Sequence, residues 1–166
     1  MIPNVVYAIA TALHENFHEA KIYFNPIRQV GANSFLLTLL NYSIEGEQGE
    51  ILKHHFDWDI GYVPKIVQTP PTGEYGSSDD RMIAGAEVIQ ELSEILNTLN
   101  VKGFYNIITK EDDYIENIAT FDRSITVVED IYHYFFSMEF RAKKVEKDEI
   151  LRTWNIIIQY LKEINL

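Results

Sequence analysis

Apolar and polar residues alternate from Ile131 to Ala142, where five of the positions on one side are Tyr, Phe or Met. A period of two predicts a β-strand with one buried face and one wet face. A strand of that length spans roughly 40 Å, whereas an ordinary strand holds about five or six residues. Because such a strand extends beyond the core of its own domain, the pattern favours a protein that contacts neighbouring subunits.

A helical period predicts three helices: Pro3 to about Phe17, a second after the capping residues Ser77–Asp80 and up to Leu99, and Lys147 to Ile164. Their apolar stripes define the expected buried faces. The stripes are Val6, Ile9, Ala10, Leu13 and Phe17; then Met82, Ile83, Ala86, Ile89, Leu92, Ile95, Leu96 and Leu99; then Leu151, Trp154, Ile157, Ile158, Leu161 and Ile164.

The remaining periodic segments predict strands. A short strand is expected at Lys21–Phe24, and Ser34–Ile44 is apolar on both sides, which is typical of a central strand covered on both faces. Ile51–Val63 alternates, so we expect it to form a long antiparallel hairpin with the preceding strand through a turn at 45–50. Further strands are predicted at 104–109 and 121–128, whereas the acidic stretch 110–120 fits neither period.

These elements predict an α+β fold with a single, mostly antiparallel sheet flanked by helices on one face. The chain has 166 residues, which suits one domain spanning 1–166. Residues 64–80 form the longest stretch without a period. Extended loops of this length within a small domain are usually functional or mobile.

Charge and composition exclude several classes of function. The net charge is −11, which argues against sequence-independent binding to nucleic acid or to an anionic membrane. The sequence has no cysteine, so disulfides, zinc–thiolate sites and thiol catalysis are excluded. No apolar run reaches the roughly 20 residues of a membrane span, and the first residues lack the basic region of a secretion signal. We therefore expect a soluble protein that is made in the cytoplasm.

The sharpest catalytic motif is His14-Glu15-Asn16-Phe17-His18, which matches the H-E-x-x-H pattern of zinc peptidases. Two histidines four residues apart share a helix face, and Glu15 would be the general base. However, the predicted helix ends within a residue or two of His18, and no third ligand stands out. Surface histidines beside an apolar stripe are the simpler interpretation.

Other candidate chemistry is weaker. His54 and His55 are adjacent in a strand and therefore point to opposite faces, so they cannot share a metal ion. His55, Asp57 and Asp59 lie on one face, where a solvated strand surface is the simpler interpretation. There is no phosphate loop and no G-x-S-x-G elbow. Sequence alone does not exclude a Ser, His and Asp triad in space. We assign no catalytic, cofactor-binding or metal-binding residues.

Three segments give the chain a resemblance to a known family. Ala-Thr-Ala-Leu-His-Glu-Asn-Phe at 10–17, with the Lys-Ile-Tyr-Phe strand and Leu-rich strand that follow, resembles the start of phage tail terminator proteins of Gram-positive prophages and tailocin-like elements. Phe56-Asp57-Trp58-Asp59-Ile60-Gly61-Tyr62-Val63-Pro64 is similar to the family's Phe-Asp-x-x-Tyr-x-Pro segment. The acidic turn and aromatic strand at 129–141 are similar to its late strand. The acidic stretch 110–120 departs from the family pattern.

The resemblance implies a structural protein without catalysis. Terminators form a ring, commonly a hexamer, that caps the head-proximal end of the tail tube, stops tube polymerisation and presents a surface to the neck. The implied partners are further copies of the chain, the tail tube protein and a neck or head-completion protein, with no specific nucleic acid, membrane or cofactor. The implied location is the virion tail. Alternatives are a head-completion or neck connector protein, a zinc peptidase using His14, Glu15 and His18, and an unrelated acidic adaptor.

A closed ring requires a heterologous interface between copies. The expected contact residues lie at the tip of the long hairpin, Glu47 and Gln48, and in the extended loop, Lys65, Ile66, Val67 and Tyr75. Acidic residues, with 110–113 as candidates, are expected to line a channel that conducts DNA without binding it.

Overall fold

The computed structural model describes residues 2–25, 30–46, 51–65, 68–69, 74–75, 78–97 and 115–166. This part of the chain contains three helices and seven strands. In chain order they are α1 (Ile2–Asn16), β1 (Lys21–Phe24), β2 (Ser34–Gly46), β3 (Ile51–Val63), β4 (Gln68–Thr69), β5 (Glu74–Tyr75), α2 (Ser78–Asn97), β6 (Ile115–Val128), β7 (Ile131–Lys143) and α3 (Lys147–Ile164).

Five of these strands form one mixed sheet in the order β1–β2–β3–β7–β6. Strand β1 runs parallel to β2, and every other neighbouring pair is antiparallel. The predicted α+β class is confirmed, as is the long hairpin, in which β2 and β3 pair from Ser34↔Val63 to Gly46↔Leu52. Within the predicted extended loop, β4 and β5 form a separate two-stranded ladder, and α2 begins at Ser78.

The strands at the late end of the sheet are long, as the sequence predicts. Strand β7 has 13 residues, and a turn at Glu129 and Asp130, both with positive φ, joins it to β6. Strand β6 has 14 residues and begins at Ile115, so the expected start at Phe121 was wrong. An edge strand needs only one neighbour, and β7 pairs with polar positions such as Glu116 as well as with apolar ones. The strand predicted at 104–109 lies outside the described residues.

One face of the sheet forms the core with the three helices. Helix α1 has apolar side chains around most of its circumference, and it packs against α2, α3 and β1. Strand β3 contributes Phe56, Trp58, Ile60 and Tyr62 to the core, and the alternate residues of β7 face the same way. Tyr132, Tyr134, Phe136, Met138 and Phe140 are all at most 7% exposed. We call this the helix side of the sheet.

Three expectations about burial were wrong. Strand β2 is not covered on both faces: Phe35 and Leu37 are buried, whereas Leu40 beside a bulge is 54% exposed. On α2, Ile83 is 61% exposed and Ala86 is exposed too. On α3, Leu151 and Ile158 are 54% and 50% exposed. In each case the apolar stripe is wider than the surface that the described part of the chain covers.

Candidate assembly surfaces of the sheet

Two of the six predicted contact residues, Lys65 and Tyr75, lie in the described part of the chain. Lys65 is exposed just after β3, and the backbone of Tyr75 in β5 pairs with Gln68 in β4. Glu47, Gln48, Ile66 and Val67 lie outside the described residues. Strands β4 and β5 run antiparallel, and the role of the six residues stays a prediction.

The second face of the sheet, which we call the open side, carries a polar network across β3 and β7. His55 bridges two carboxylates: its Nε2 lies 2.9 Å from Oδ1 of Asp57, and its Nδ1 lies 3.2 Å from Oε2 of Glu139. Ser137 donates to Asp57 over 2.6 Å, and Nζ of Lys53 lies 2.9 Å from Oε1 of Glu139. The network links strands that are far apart in the sequence.

The network shifts the pKa values of its members in consistent directions. Partial burial opposes a charge on His55, but hydrogen bonds to Glu139 and Asp57 outweigh it and raise the pKa of His55. The hydrogen bond from Ser137, followed by that from His55, lowers the pKa of Asp57. The hydrogen bonds from Lys53 and then His55 lower the pKa of Glu139. The network is therefore a set of mutually stabilised charges.

The network brings Ser, His and Asp together, but in the wrong order for a serine nucleophile. In a catalytic triad the histidine accepts the serine proton and the aspartate orients the histidine. Here Ser137 donates to Asp57, and the second nitrogen of His55 faces Glu139. The Ser137 hydroxyl faces a carboxylate and not an imidazole nitrogen, so the arrangement lacks the histidine base of a triad. The geometry instead fixes the register of β3 against β7.

The same face becomes more apolar toward the other end of the sheet. A Cβ atom at Gly61 would lie 3.5 Å from Leu36 and 3.8 Å from Ile131, so these two side chains close over the glycine. Nearby, Nδ1 of His133 lies 2.9 Å from Oδ2 of Asp59, and its ring stacks on Phe135. The open side thus combines an apolar end with a paired, charged centre.

Sequence reasoning identified part of this network. It placed His55, Asp57 and Asp59 on one strand face, which the structure confirms. It did not assign Ser137 or Glu139 a partner, although both lie on the polar side of the predicted β7 pattern. The missing information was the register, which sets His55 opposite Glu139.

The histidines of the H-E-x-x-H motif lie beside one another at the end of α1. The helix ends at Asn16, so His18 follows it in a turn, and the two imidazole rings are 5.6 Å apart with edge-to-face geometry. The ring of His14 also contacts Tyr160 of α3. Among the described residues, no group of three or more His, Asp or Glu side chains is arranged to hold a metal ion.

The two edges of the sheet differ in which groups bond to their backbone. At β1, the side chain of Asn165 accepts from the Ile22 N–H at 2.9 Å and donates to the Ile22 carbonyl at 2.7 Å, as a paired strand would. The side chain of Asn25 accepts from the Leu39 N–H at 3.1 Å. Beyond Leu39, the outer edge of β2 pairs with no described strand. Strand β6 pairs only with β7 among the described strands.

Comparison with known proteins adds one match. Residues 4–150 match the profile of the family described as phage tail terminator protein, which covers most of the chain. No curated protein has significant sequence similarity to the chain. Neither α2 nor any other described helix combines the length and apolar character of a bilayer-crossing segment.

Proposed function

Because the chain belongs to the phage tail terminator family, we propose that copies of it form a ring that caps the head-proximal end of a tail tube. The cap stops tube polymerisation and presents a surface to the neck. The family match over residues 4–150 is the observation that carries this proposal. The family name denotes a structural part of the tail, and no catalytic activity is proposed.

Two properties of the fold support an assembly role. The described helices pack on one side of the sheet, and we take the other side as the candidate surface for a partner. Exposed apolar side chains also remain on β2, β6 and α3, including Ile44 at 49% and Ile125 at 52%. Ordered apolar surface of this kind is typical of proteins that bury it on assembly. A hexameric ring would bury it repeatedly through one heterologous contact.

The acidic composition suits a ring through which DNA passes. With a net charge of −11, the subunit repels phosphate instead of binding it. The proposed lumen residues at 110–113 lie outside the described part of the chain. Reversing the acidic charges there should slow DNA ejection from assembled particles, and unchanged ejection kinetics would count against a lumen position.

Deletion of the gene tests the function directly. If the protein terminates tube growth, particles without it should carry tails of uncontrolled length, which electron microscopy measures as a broadened length distribution. A connector protein gives the other result, because its loss leaves tails of normal length unattached to heads. Supplying the intact chain from a plasmid should restore both length and attachment, which is the control for effects on neighbouring genes.

A second experiment tests the ring and the predicted contact residues. Native mass spectrometry of the protein, alone and with the tail tube protein, should show one closed oligomer. Electron microscopy of the mixture should place that oligomer at tube ends. Lys65→Glu and Tyr75→Ala should weaken this binding, whereas Lys143→Glu, at the end of β7, is the charge-matched control. Equal binding by all three variants would remove the extended loop from the interface.

A further inference from the structure

We propose that the sheet continues from one copy to the next, with β6 of one subunit paired edge to edge with the outer half of β2 in its neighbour. The β6 edge segment is Ser124–Val128, and the β2 edge segment is Asn41–Gly46. This inference rests on the proposed ring and identifies the partner as a second copy of the chain. Three features of the two segments support this pairing: the lack of groups that block the strand edge, the side of the sheet on which the apolar residues lie, and the position of each segment in the sheet.

The first feature is that no described strand pairs with the outer side of either segment, and that neither segment contains Lys or Pro. Proteins protect exposed strand edges with Lys, Pro, bulges or covering groups, because an unpaired edge binds other strands. This chain does so at β1, where Asn165 occupies the edge of Ile22. The β6 edge segment reads Ser-Ile-Thr-Val-Val and the β2 edge segment reads Asn-Tyr-Ser-Ile-Glu-Gly, without Lys or Pro. A side chain therefore blocks the edge of the sheet at β1, whereas no described residue blocks the two edge segments.

Bulges limit each segment but leave it regular. One register shift separates Leu39 from Asn41, and another separates Phe121 from Ser124. Bulges bend a strand and interrupt pairing along its edge. Beyond them, both segments keep an unbroken register to the end of the strand. Two regular edges of closely similar length, five and six residues by their numbering, are thus available for pairing.

The second feature is that both segments carry apolar side chains on the helix side of the sheet. Ile125 and Val127 lie opposite the core residues Tyr134 and Tyr132, so they are on the helix side, where they are 52% and 44% exposed. On β2, Tyr42 and Ile44 lie opposite Phe56 and His54 and are on the helix side too. The open side is mainly polar: it carries Ser124, Thr126 and Val128 on β6, and Asn41, Ser43 and Glu45 on β2.

Because the apolar side chains lie on the same side of both segments, the orientation of the neighbour decides which side chains the pairing would bury. If the two segments pair with their helix sides aligned, Ile125 and Val127 come beside Tyr42 and Ile44, and the polar residues meet on the open side. Cross-strand neighbours on one face of a sheet stabilise the pair when they are alike in this way. A flipped pairing would place isoleucine beside serine on both faces. The pattern therefore selects one orientation of the neighbour.

The third feature is position. The β6 edge segment and the β2 edge segment lie on opposite edges of the same sheet. A contact between two different edges is heterologous, so each copy offers one of each and the contact repeats from subunit to subunit. Such a contact closes into a ring when the rotation between copies allows it. A two-fold dimer would instead require one edge to pair with itself.

Lysine substitutions on the two edges test the pairing. Ile125→Lys and Ile44→Lys each place a charge on one half-exposed position, where the fold tolerates it but a neighbouring strand does not. We expect each variant alone to lose ring formation in native mass spectrometry, with an unchanged melting temperature. Leu151→Lys on α3 is the matched control, because Leu151 is 54% exposed and remote from both edges in the sequence.

A mixture of the two edge variants gives the sharpest result. The Ile125→Lys chain keeps an intact β2 edge, and the Ile44→Lys chain keeps an intact β6 edge. Mixing them should therefore yield 1:1 dimers that stop at two subunits. Amide exchange supplies an independent reading, because the amides of both edge segments should become protected when the wild-type ring forms.

The outcomes separate this inference from the proposed function. Rings formed by both lysine variants, or a mixture without dimers, would overturn the edge pairing and leave the terminator role in place. A wild-type chain that forms no ring with the tail tube protein would overturn the terminator role itself. Loss of assembly by Leu151→Lys as well as by the edge variants would show that the effect is not specific to the edges.

Discussion

His54 and His55 are neighbours in β3, yet they occupy opposite environments on the two sides of the sheet. His54 is 2% exposed and its ring stacks between Tyr42 and Phe140. His55 is part of the open-side network and has a carboxylate at each nitrogen. Burial lowers the pKa of His54 to about 4, whereas the carboxylates raise the pKa of His55. One residue of displacement thus reverses the sign of the shift.

The two sides of the sheet contribute differently: the helix side mainly to the free energy of folding, and the open side mainly to the register of the strands. On the helix side, apolar burial supplies the free energy, and its size depends on packing. On the open side, hydrogen bonds between half-exposed charges supply little net free energy but fix which residues lie opposite one another. We therefore expect substitutions on the helix side to alter global stability, and substitutions on the open side to alter local ionisation and register.

The largest difference in unfolding free energy between two variants should come from substitutions of two neighbouring residues of β3. Trp58 is fully buried between the rings of Phe24 and Phe56, so Trp58→Ala should cost about 3–5 kcal/mol of unfolding free energy. Asp59→Ala, one residue further on the open side, should cost about 1 kcal/mol or less. Urea denaturation followed by circular dichroism measures both. Equal losses for the two variants would contradict the separation of the two sides.

The next contrast is in the response to acid. The pKa of His54 is near 4 in the fold against 6.5 when unfolded, so the unfolded chain binds the extra proton first. The stability that this group contributes is complete above pH 6.5 and falls as the pH drops toward 4, by up to about 3 kcal/mol. His55 has the opposite sign, because a raised pKa stabilises the fold below 6.5 and ceases to do so as the pH rises through its folded value.

His54→Phe isolates the first of these effects. Phenylalanine keeps a ring between Tyr42 and Phe140, and it removes both ring nitrogens: Nε2, which has no hydrogen-bond partner, and Nδ1, which lies 2.7 Å from the Tyr42 hydroxyl. The second loss lowers stability at every pH, so the pH slope and not the absolute stability carries the test. The variant should lose less stability than the wild type between pH 6.5 and pH 4 in denaturation series. His55→Gln is the control and should keep the acid loss of the wild type. A wild-type slope in His54→Phe would show that other groups cause the acid response.

How far sequence could predict this molecule follows from the range of each interaction. The apolar period within one segment, two for strands and about 3.6 for helices, placed β1, β3, β7 and α3 correctly. A buried face imposes its period locally. It did not place the start of β6, since an edge strand accepts polar residues on both sides. The open side of β2 departs from the prediction for another reason: Leu36 packs over Gly61 beside Ile131, and no described element forms a second layer over it.

The network was beyond sequence reasoning for a related reason. His55 and Glu139 are 84 positions apart, and only the pairing of β3 with β7 brings them into contact. The predicted contact residues remain untested, since four of the six lie outside the described residues and a partner is needed to test the rest. Local patterns therefore predicted the elements, and the register determined the chemistry of the surface.

A smaller effect is expected where α2 meets the helix side. A Cβ atom at Gly85 would lie 2.5 Å from Cε2 of Tyr132 and 3.1 Å from Cγ of Pro64, so Gly85→Ala forces the helix or the ring to move. Overpacking of this kind costs about 1–3 kcal/mol, and the better helix propensity of alanine offsets up to about 1 kcal/mol. We expect a net loss near 1–2 kcal/mol by denaturation. Gly31→Ala, with nothing within 4 Å, is the control.

The smallest effect on stability should be the most informative about the open side. Ser137→Ala removes the hydroxyl that donates to Asp57 over 2.6 Å, the first cause of the lowered pKa of that carboxyl. Because the carboxylate is partly solvated, water replaces some of the lost bond and the cost should be about 1 kcal/mol. The pKa of Asp57, followed by NMR titration, should rise toward its ordinary value, while Ser43→Ala on the same side leaves it unchanged. If the pKa of Asp57 stays low without the hydroxyl, His55 and the Asn41 amide hold its charge, and Ser137 is not a working member of the network.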